Sequence, residues 1–227
     1  MGRPRKHKIN EHYFDTIDTP EKAYVVGFLY ADGGNLGSGV YMTLQARDRG
    51  ILEQIRGCLK SETPLRELQN GKYCRLDIIG VQMAKRLGEL GIEPRKTFKI
   101  RFPSWLSPEL HSHFIRGYFD GDGCLTVSST RNKAAFSIVS NGPFCEDLQS
   151  LFKNIGINSQ VMSLKNGYDG LATEAKRLMV CGNRQILKLM DWLYTASTIH
   201  LERKHEKYLT LKANPVSRKH SIQRQML

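Results

Sequence analysis

The chain has 227 residues, enough for one large domain or for two compact units of about 100 residues each. With 40% hydrophobic and 25% charged residues and a mean hydropathy of -0.41, it can bury a core, and a long disordered chain is excluded. Thirty-four Lys and Arg against 22 Asp and Glu give a net charge of +12, a balance suited to a polyanionic partner.

The longest apolar stretches, such as Ala23 to Ala31, are far shorter than the roughly 20 residues needed to cross a bilayer, so no membrane partner is expected. The basic start Gly2-Arg3-Pro4-Arg5-Lys6 is not followed by an apolar signal core. This reads as an intracellular protein of the cytoplasm or nucleoid, or of an organelle matrix if organelle-encoded. Five cysteines (Cys58, Cys74, Cys124, Cys145, Cys181) are an odd, scattered set without a CxxC pair, which argues against a disulfide framework and a zinc site.

The first helix is expected to start at Thr19-Pro20-Glu21, an N-cap followed by proline at the first helical position and an acid in the first turn, and to stop at Gly33. Strands follow near Asn35 to Leu36 and Val40 to Arg47, with Tyr41, Thr43 and Gln45 alternating against Met42, Leu44 and Ala46. A helix from about Ile51 to Lys60 precedes two strands, near Thr63 to Gln69 and Tyr73 to Ile79, joined by the hairpin signal Asn70-Gly71. A helix from about Val81 to Leu90 closes this unit. A basic link, Ile92 to Leu106, then leads to a second series: a helix opened by Ser107-Pro108-Glu109, strands near Cys124 to Ser129 and Ala134 to Ser140, and a helix from Pro143 to Asn154. Strands near Asn158 to Lys165 and Lys176 to Cys181 and a helix from Asn183 to Tyr194 complete it. A last helix near Leu201 to Leu211 and a basic tail end the chain.

The second series repeats the first. Val25-Val26-Gly27-Phe28-Leu29-Tyr30-Ala31-Asp32-Gly33 and Ile115-Arg116-Gly117-Tyr118-Phe119-Asp120-Gly121-Asp122-Gly123 share one pattern at an offset of 90 residues. Downstream, the segment from Arg47 aligns without gaps on that from Ser140. The expected fold is therefore α+β, two pseudo-symmetric αββαββα halves packed through the two motif helices. Residues 1–14 are read as a basic arm, 15–102 and 103–212 as the halves, and 213–227 as a basic tail.

Gly27 with Ala31, and Gly117 with Gly121, each put small residues four apart on one helical face, which lets two helix backbones approach closely. Side-by-side helices then bring Asp32 and Asp122 together at two C-terminal ends, where like charges and both helix dipoles are unfavourable. A hard divalent cation offsets this. Mg²⁺, or a similar ion such as Mn²⁺, takes carboxylates, backbone carbonyls such as those of Ala31 and Gly121, water and phosphate oxygens, and can promote phosphodiester hydrolysis.

These paired segments resemble the two motifs of the LAGLIDADG homing endonucleases, in the single-chain form that carries both copies, over about Asp15 to Tyr208. The resemblance implies that the motif helices form the central interface and that Asp32 and Asp122 are the essential metal-binding acids. It also implies that each half presents a curved antiparallel sheet to the DNA major groove of a long asymmetric site, acting as a monomer. The motif's earlier acid is Tyr30 in the first copy and Asp120 in the second; that position is not a metal ligand in the family, and Asp120 reads as structural. Lys96 and Lys204 match the lysines that members often carry near the active site after the last helix of each half. Gln45 is a further polar candidate for ordering water.

Base reading is expected from groove-facing strand residues, because alternate side chains share a face and Arg, Lys, Gln and Asn pair with base edges. Gln45, Arg47, Arg66, Gln69, Lys72, Arg75, Arg131, Lys133, Lys165, Lys176 and Arg177 lie on or beside predicted strands. Gly2 to Lys6 also resembles an AT-hook core, a minor-groove element. The leading reading is a metal-dependent, site-specific double-strand DNA endonuclease. An RNA maturase acting on a host intron is an alternative with an equally basic surface. A catalytically silent DNA-binding regulator is a third, disfavoured because both motif acids are present.

Overall fold

The computed structural model describes residues 7–94, 96, 99–128, 133–164 and 175–213. Two halves share one order of elements. The first contains α1 (Pro20–Asp32), β1 (Gly33–Asn35), β2 (Gly39–Gln45), α2 (Arg49–Cys58), β3 (Arg66–Leu68), β4 (Tyr73–Ile79) and α3 (Val81–Glu89). The second contains α4 (His111–Asp122), β5 (Gly123–Ser128), β6 (Lys133–Asn141), α5 (Gly142–Asn154), β7 (Gln160–Ser163), β8 (Ala175–Cys181) and α6 (Asn183–Tyr194), and α7 (Glu202–Ala213) follows. Each half holds a four-stranded antiparallel sheet, in the orders β1-β2-β4-β3 and β5-β6-β8-β7. The expected αββαββα duplication is thus the architecture of the chain.

Alternation decides which sheet face is covered. Val40, Met42 and Leu44 of β2 and Cys74, Leu76 and Ile78 of β4 are buried beneath the helices, while Tyr41, Thr43, Arg75 and Asp77 project from the other face. In the second sheet Phe136, Ile138, Leu178 and Val180 are buried. Helix α1 is buried on every side from Ala23 to Tyr30, because α4 covers one flank and its own sheet the other.

The α1–α4 crossing is reciprocal. A Cβ at Gly27 would overlap the carbonyl oxygen of Phe114, and one at Gly117 would overlap that of Tyr24, the residue equivalent to Phe114. Only glycine permits two backbones to approach so closely, and the equal spacing makes the contact pseudo-two-fold. Phe28, Phe114, Tyr24 and Phe119 close around it, each fully buried; burying a side chain of this size contributes roughly 2 kcal/mol.

Several local expectations are corrected. Gly33 and Gly123 do follow the last residues of α1 and α4; both are extended, with φ of -85° and -85°, and each starts a strand directly. They are glycines because a side chain would collide with Leu29 or Phe119 one turn back. Thr19 caps α1, its hydroxyl accepting from the Lys22 amide, but Ser107 does not repeat the device; Pro108–Leu110 form a 3-10 turn and α4 begins at His111. Residues 8–14, read as part of a basic arm, pack on the first half: Asn10 donates to the Leu59 carbonyl, Glu62 donates to that of Lys8, and Phe14 is fully buried. The cysteines are all free, as expected. Residues 1–6 with the AT-hook-like strip, Arg131, Lys165 and the tail from residue 214 lie outside the described residues. Among the described residues no helix is long and apolar enough to cross a membrane.

Candidate active site and nucleic-acid interface

The motif helices deliver Asp32 and Asp122 to one place. The Asp32 Oδ2 atom lies 3.1 Å from where a Cβ at Gly121 would stand, so Gly121 leaves the room that this carboxylate occupies. Burial pushes the Asp32 carboxyl up to about 6, with the charge of Asp122 adding to the shift and those of Lys204 and Lys96 opposing it. Burial likewise raises Asp122, against the pull of Lys96 and Lys204.

Each helix end is met by its own buried lysine. The Lys96 Nζ donates to the Gly33 carbonyl at 2.5 Å and to that of Ala31 at 3.4 Å. The Lys204 Nζ donates to the carbonyls of Phe119, Asp120 and Gly121 at 2.5, 2.8 and 3.3 Å. These ammonium groups add donors to carbonyls at and just beyond each helix terminus and offset its negative dipole end. Burial lowers both lysines, Lys204 to about 8. Four candidates from distant parts of the sequence, Asp32, Asp122, Lys96 and Lys204, therefore converge. The carbonyls of Ala31 and Gly121 stand beside them, each also accepting from a lysine, with a second lone pair left on the oxygen.

Asp120 points away from this group, as expected of a residue two positions before Asp122. It is fully buried and accepts from the Tyr24 hydroxyl at 2.8 Å, the Tyr194 hydroxyl at 3.3 Å and the Leu201 amide at 2.8 Å.

The open faces of the sheets carry part of the basic set. Arg66 and Arg75 are paired directly across β3 and β4, where like charges oppose each other, and both are held by Asp77: Arg66 Nη2 at 2.5 Å and Arg75 Nε at 2.8 Å from its carboxylate. The Arg75 guanidinium also lies 3.9 Å from the centre of the Tyr41 ring. Gln45, Arg47 and Lys72 line one depression of about 350 Å³ at the end of the same sheet. Arg47 lies in a 3-10 turn after β2, and Gln69 and Lys72 lie in the β3–β4 hairpin turn, so these three are beside the strands rather than on them. In the second sheet Lys133 and Arg177 are exposed. Lys176, half-buried, shares the parity of buried Leu178 and Val180, and its Nζ donates to the Ser163 hydroxyl at 3.0 Å. Neighbouring residues on a strand cannot both face the groove, so Arg177 and Lys176 exclude each other.

Sequence reasoning missed three features. Asp77 was visible as an acid two residues from Arg75, hence on the same face. Asp48 and Arg203 form a two-pronged ion pair at 2.8 and 3.0 Å that fastens α7 to the first half, and nothing in a span of 155 residues announces it. His200, Glu202 and His205 form a candidate metal-binding cluster, their ligand atoms within 4.8 Å of one another. The spacing His-x-Glu-x-x-His could have suggested it, since Glu202 and His205 share a helical face. It contains none of the motif carboxylates.

Comparison with known proteins agrees with this geometry. Residues 109–191 match the family model of the LAGLIDADG-like domain. Over 171 residues, 72% of its length, the chain is 26% identical to the probable translation initiation factor IF-2 of Methanocaldococcus jannaschii, and it spans 14% of the length of that relative. Among solved structures, the LAGLIDADG homing endonuclease I-LtrWI bound to target DNA is similar with a TM-score of 0.58 and 11% identity, covering 85% of this chain and 90% of that one. I-GzeII in complex with its DNA target gives a TM-score of 0.57 at 12% identity, covering 88% and 93%. I-SmaMI bound to cleaved DNA gives 0.56 at 15% identity, covering 86% and 88%. The family model matches within the second half, and the first half repeats the motif pattern and the order of elements of the second. Residues 109–191 thus carry a LAGLIDADG-like domain, and the chain as a whole shares the fold of these LAGLIDADG homing endonucleases.

Proposed function

We propose that this chain is a site-specific double-strand DNA endonuclease of the homing type, hydrolysing one phosphodiester in each strand of a long asymmetric target with the help of Mg²⁺ or Mn²⁺. The observation that carries the reading is the composite site: two raised carboxylates at paired helix ends, each end backed by a buried lysine. The donor set fits a hard divalent ion. Asp32, Asp122 and the carbonyls of Ala31 and Gly121 offer oxygen alone, without imidazole or thiolate, and the two carboxylates need a positive charge between them. When bound there, such an ion supplies neutralisation of the paired charges and acidifies water beside the scissile phosphate.

The chain's own residues do the remainder. Asp32 and Asp122 would hold the ion, and the Lys96 and Lys204 ammonium groups keep a positive potential at the helix ends where phosphate charge must settle. Arg66, Arg75, Lys133 and Arg177 on the open sheet faces suit a major groove, with Arg75 held ready by Asp77 and Tyr41. Gln45, Arg47, Gln69 and Lys72 suit the flanking backbone. Similar proteins support the reading: I-SmaMI was solved with cleaved DNA, and I-LtrWI and I-GzeII with their targets.

The test is incubation with Mg²⁺ and a randomised duplex library, followed by sequencing of the cut ends. The expected result is one long asymmetric sequence cut in both strands with a fixed stagger. Tight duplex binding without cutting would point to a silent regulator, and preference for a structured intron RNA to a maturase; either would overturn the proposal.

A further inference from the structure

We infer that the residue at the earlier motif position of each half, Tyr30 in the first and Asp120 in the second, is a positioning residue that sets the segment carrying that half's lysine against the end of its motif helix. The inference rests on the reading above, in which Lys96 and Lys204 serve phosphodiester cleavage.

The two positions are equivalent at the 90-residue offset, yet their side chains differ in kind. The Tyr30 hydroxyl donates to the Leu90 carbonyl, where α3 gives way to the link that carries Lys96. A second tie lies beside it: the Asn35 side-chain amide donates to the carbonyls of Ala84 and Ile92, each at 2.8 Å. In the second half the Asp120 carboxylate accepts from the Leu201 amide at 2.8 Å. The Leu201 carbonyl in turn accepts from the amides of Lys204 and His205, at 3.0 and 3.1 Å, which starts the first turn of α7. Lys204 then reaches back to the carbonyls of Phe119, Asp120 and Gly121, closing a ring of contacts around Asp120. Buried Arg116 adds a parallel tie, its Nε donating to the Ile199 carbonyl at 3.1 Å.

The chemistry of each residue matches the group it must hold. Leu90 offers a carbonyl, so position 30 needs a donor; a carboxylate there would set acceptor against acceptor in a buried site. Leu201 offers an N–H, so position 120 needs an acceptor. This accounts for a tyrosine in one copy of the motif and an aspartate in the other. Tyr24 extends the second anchor across the interface, since its hydroxyl donates to Asp120 from the other half.

The test uses the full chain with Tyr30→Phe and Asp120→Leu, each of which removes the polar group that holds its segment. The first readout is mass spectrometry of lysine acylation by an amine-reactive ester in the absence of DNA. Lys96 and Lys204 are 8% and 3% exposed and start protected. Tyr30→Phe is expected to label Lys96 about tenfold faster and leave Lys204 unchanged, and Asp120→Leu to label Lys204 at least about tenfold faster and leave Lys96 unchanged; tenfold is the change that one lost buried hydrogen bond makes in a local opening equilibrium. The second readout is the nicking rate of each target strand with Mg²⁺. Because the lysines belong to opposite halves, the variants should slow opposite strands while duplex affinity is unchanged. A merely structural role would loosen both lysines and slow both strands together, and that result, or unchanged labelling in both variants, overturns the inference. If the wild-type chain cuts no DNA, the endonuclease reading falls while the labelling still decides the positioning. If Asp120→Leu does not fold, the Tyr30→Phe arm, which removes a single hydroxyl, decides it.

Discussion

Replacing Asp32 by asparagine isolates the electrostatic cost of the paired helix ends, because the amide nearly matches the carboxylate in shape. Asp32 rises from an ordinary 3.8 to about 6, chiefly through burial and then through the charge of Asp122. The folded state therefore holds this proton more tightly than the unfolded state does. Stability of the metal-free protein falls as pH climbs from about 4 to about 6 and stays lower above that window. A shift of this size, at about 1.4 kcal/mol per pH unit, amounts to about 3 kcal/mol at neutral pH. Asp32→Asn removes that burden, so in EDTA at neutral pH it should be more stable than the wild type by about 3 kcal/mol, a rise of roughly 6 to 12 °C in Tm for a chain of this size. The gain should vanish below about pH 4, where the wild-type carboxyl is protonated in both states. It should shrink in excess Mg²⁺, which binds the wild-type site and not the altered one. Urea titrations at both pH values, with and without Mg²⁺, measure all of this. An Asp32→Asn protein no more stable than the wild type at neutral pH in EDTA would refute the view that the site is a strained pair of charges awaiting a cation.

Other consequences concern packing, the tie between the halves, and DNA contact. Gly117→Ala puts a methyl group onto the Tyr24 carbonyl and within 2.8 Å of the Phe28 nitrogen, backbone that cannot yield without parting the two helices. A loss of about 3 kcal/mol or more is expected, and thermal melting followed by circular dichroism checks it. Asp48→Asn weakens the two-pronged pair with Arg203 and should cost about 1 to 2 kcal/mol in denaturant titrations; no loss would show that α7 is held by its apolar face alone. Arg75→Ala removes the guanidinium fixed by Asp77 and Tyr41 and should weaken specific duplex binding about tenfold in fluorescence anisotropy. Unchanged affinity would take Arg75 off the interface.

What the sequence disclosed was whatever depends on short-range pattern and on duplication. The span of α6, Asn183–Tyr194, is the one read from periodicity, and the Asn70-Gly71 turn is present with positive φ at Gln69, Asn70 and Gly71. The small-residue faces foretold the α1–α4 contact because backbone approach leaves a compositional trace. Long-range side-chain choices left none. Nothing local says that Asp48 gives its carboxylate to Arg203 instead of capping α2, whereas the equivalent Asn141 caps α5 by accepting from the Phe144 amide. The glycines after the motif helices were legible as helix ends, but the reason for them was not: their need comes from crowding by Leu29 and Phe119, and a C-terminal glycine looks the same in sequence whether it turns left-handed or runs straight on. Lys176 and Arg177 both lie on β8 as read, but strand parity puts them on opposite faces, which charge alone does not reveal.

The most direct measurement is paired binding and cleavage by Asp122→Asn on the target recovered from the wild-type protein. If Asp32 and Asp122 form one composite cation site, Asp122→Asn binds the duplex with nearly wild-type affinity and leaves both strands intact in Mg²⁺. Cleavage of either strand at the wild-type rate would contradict it.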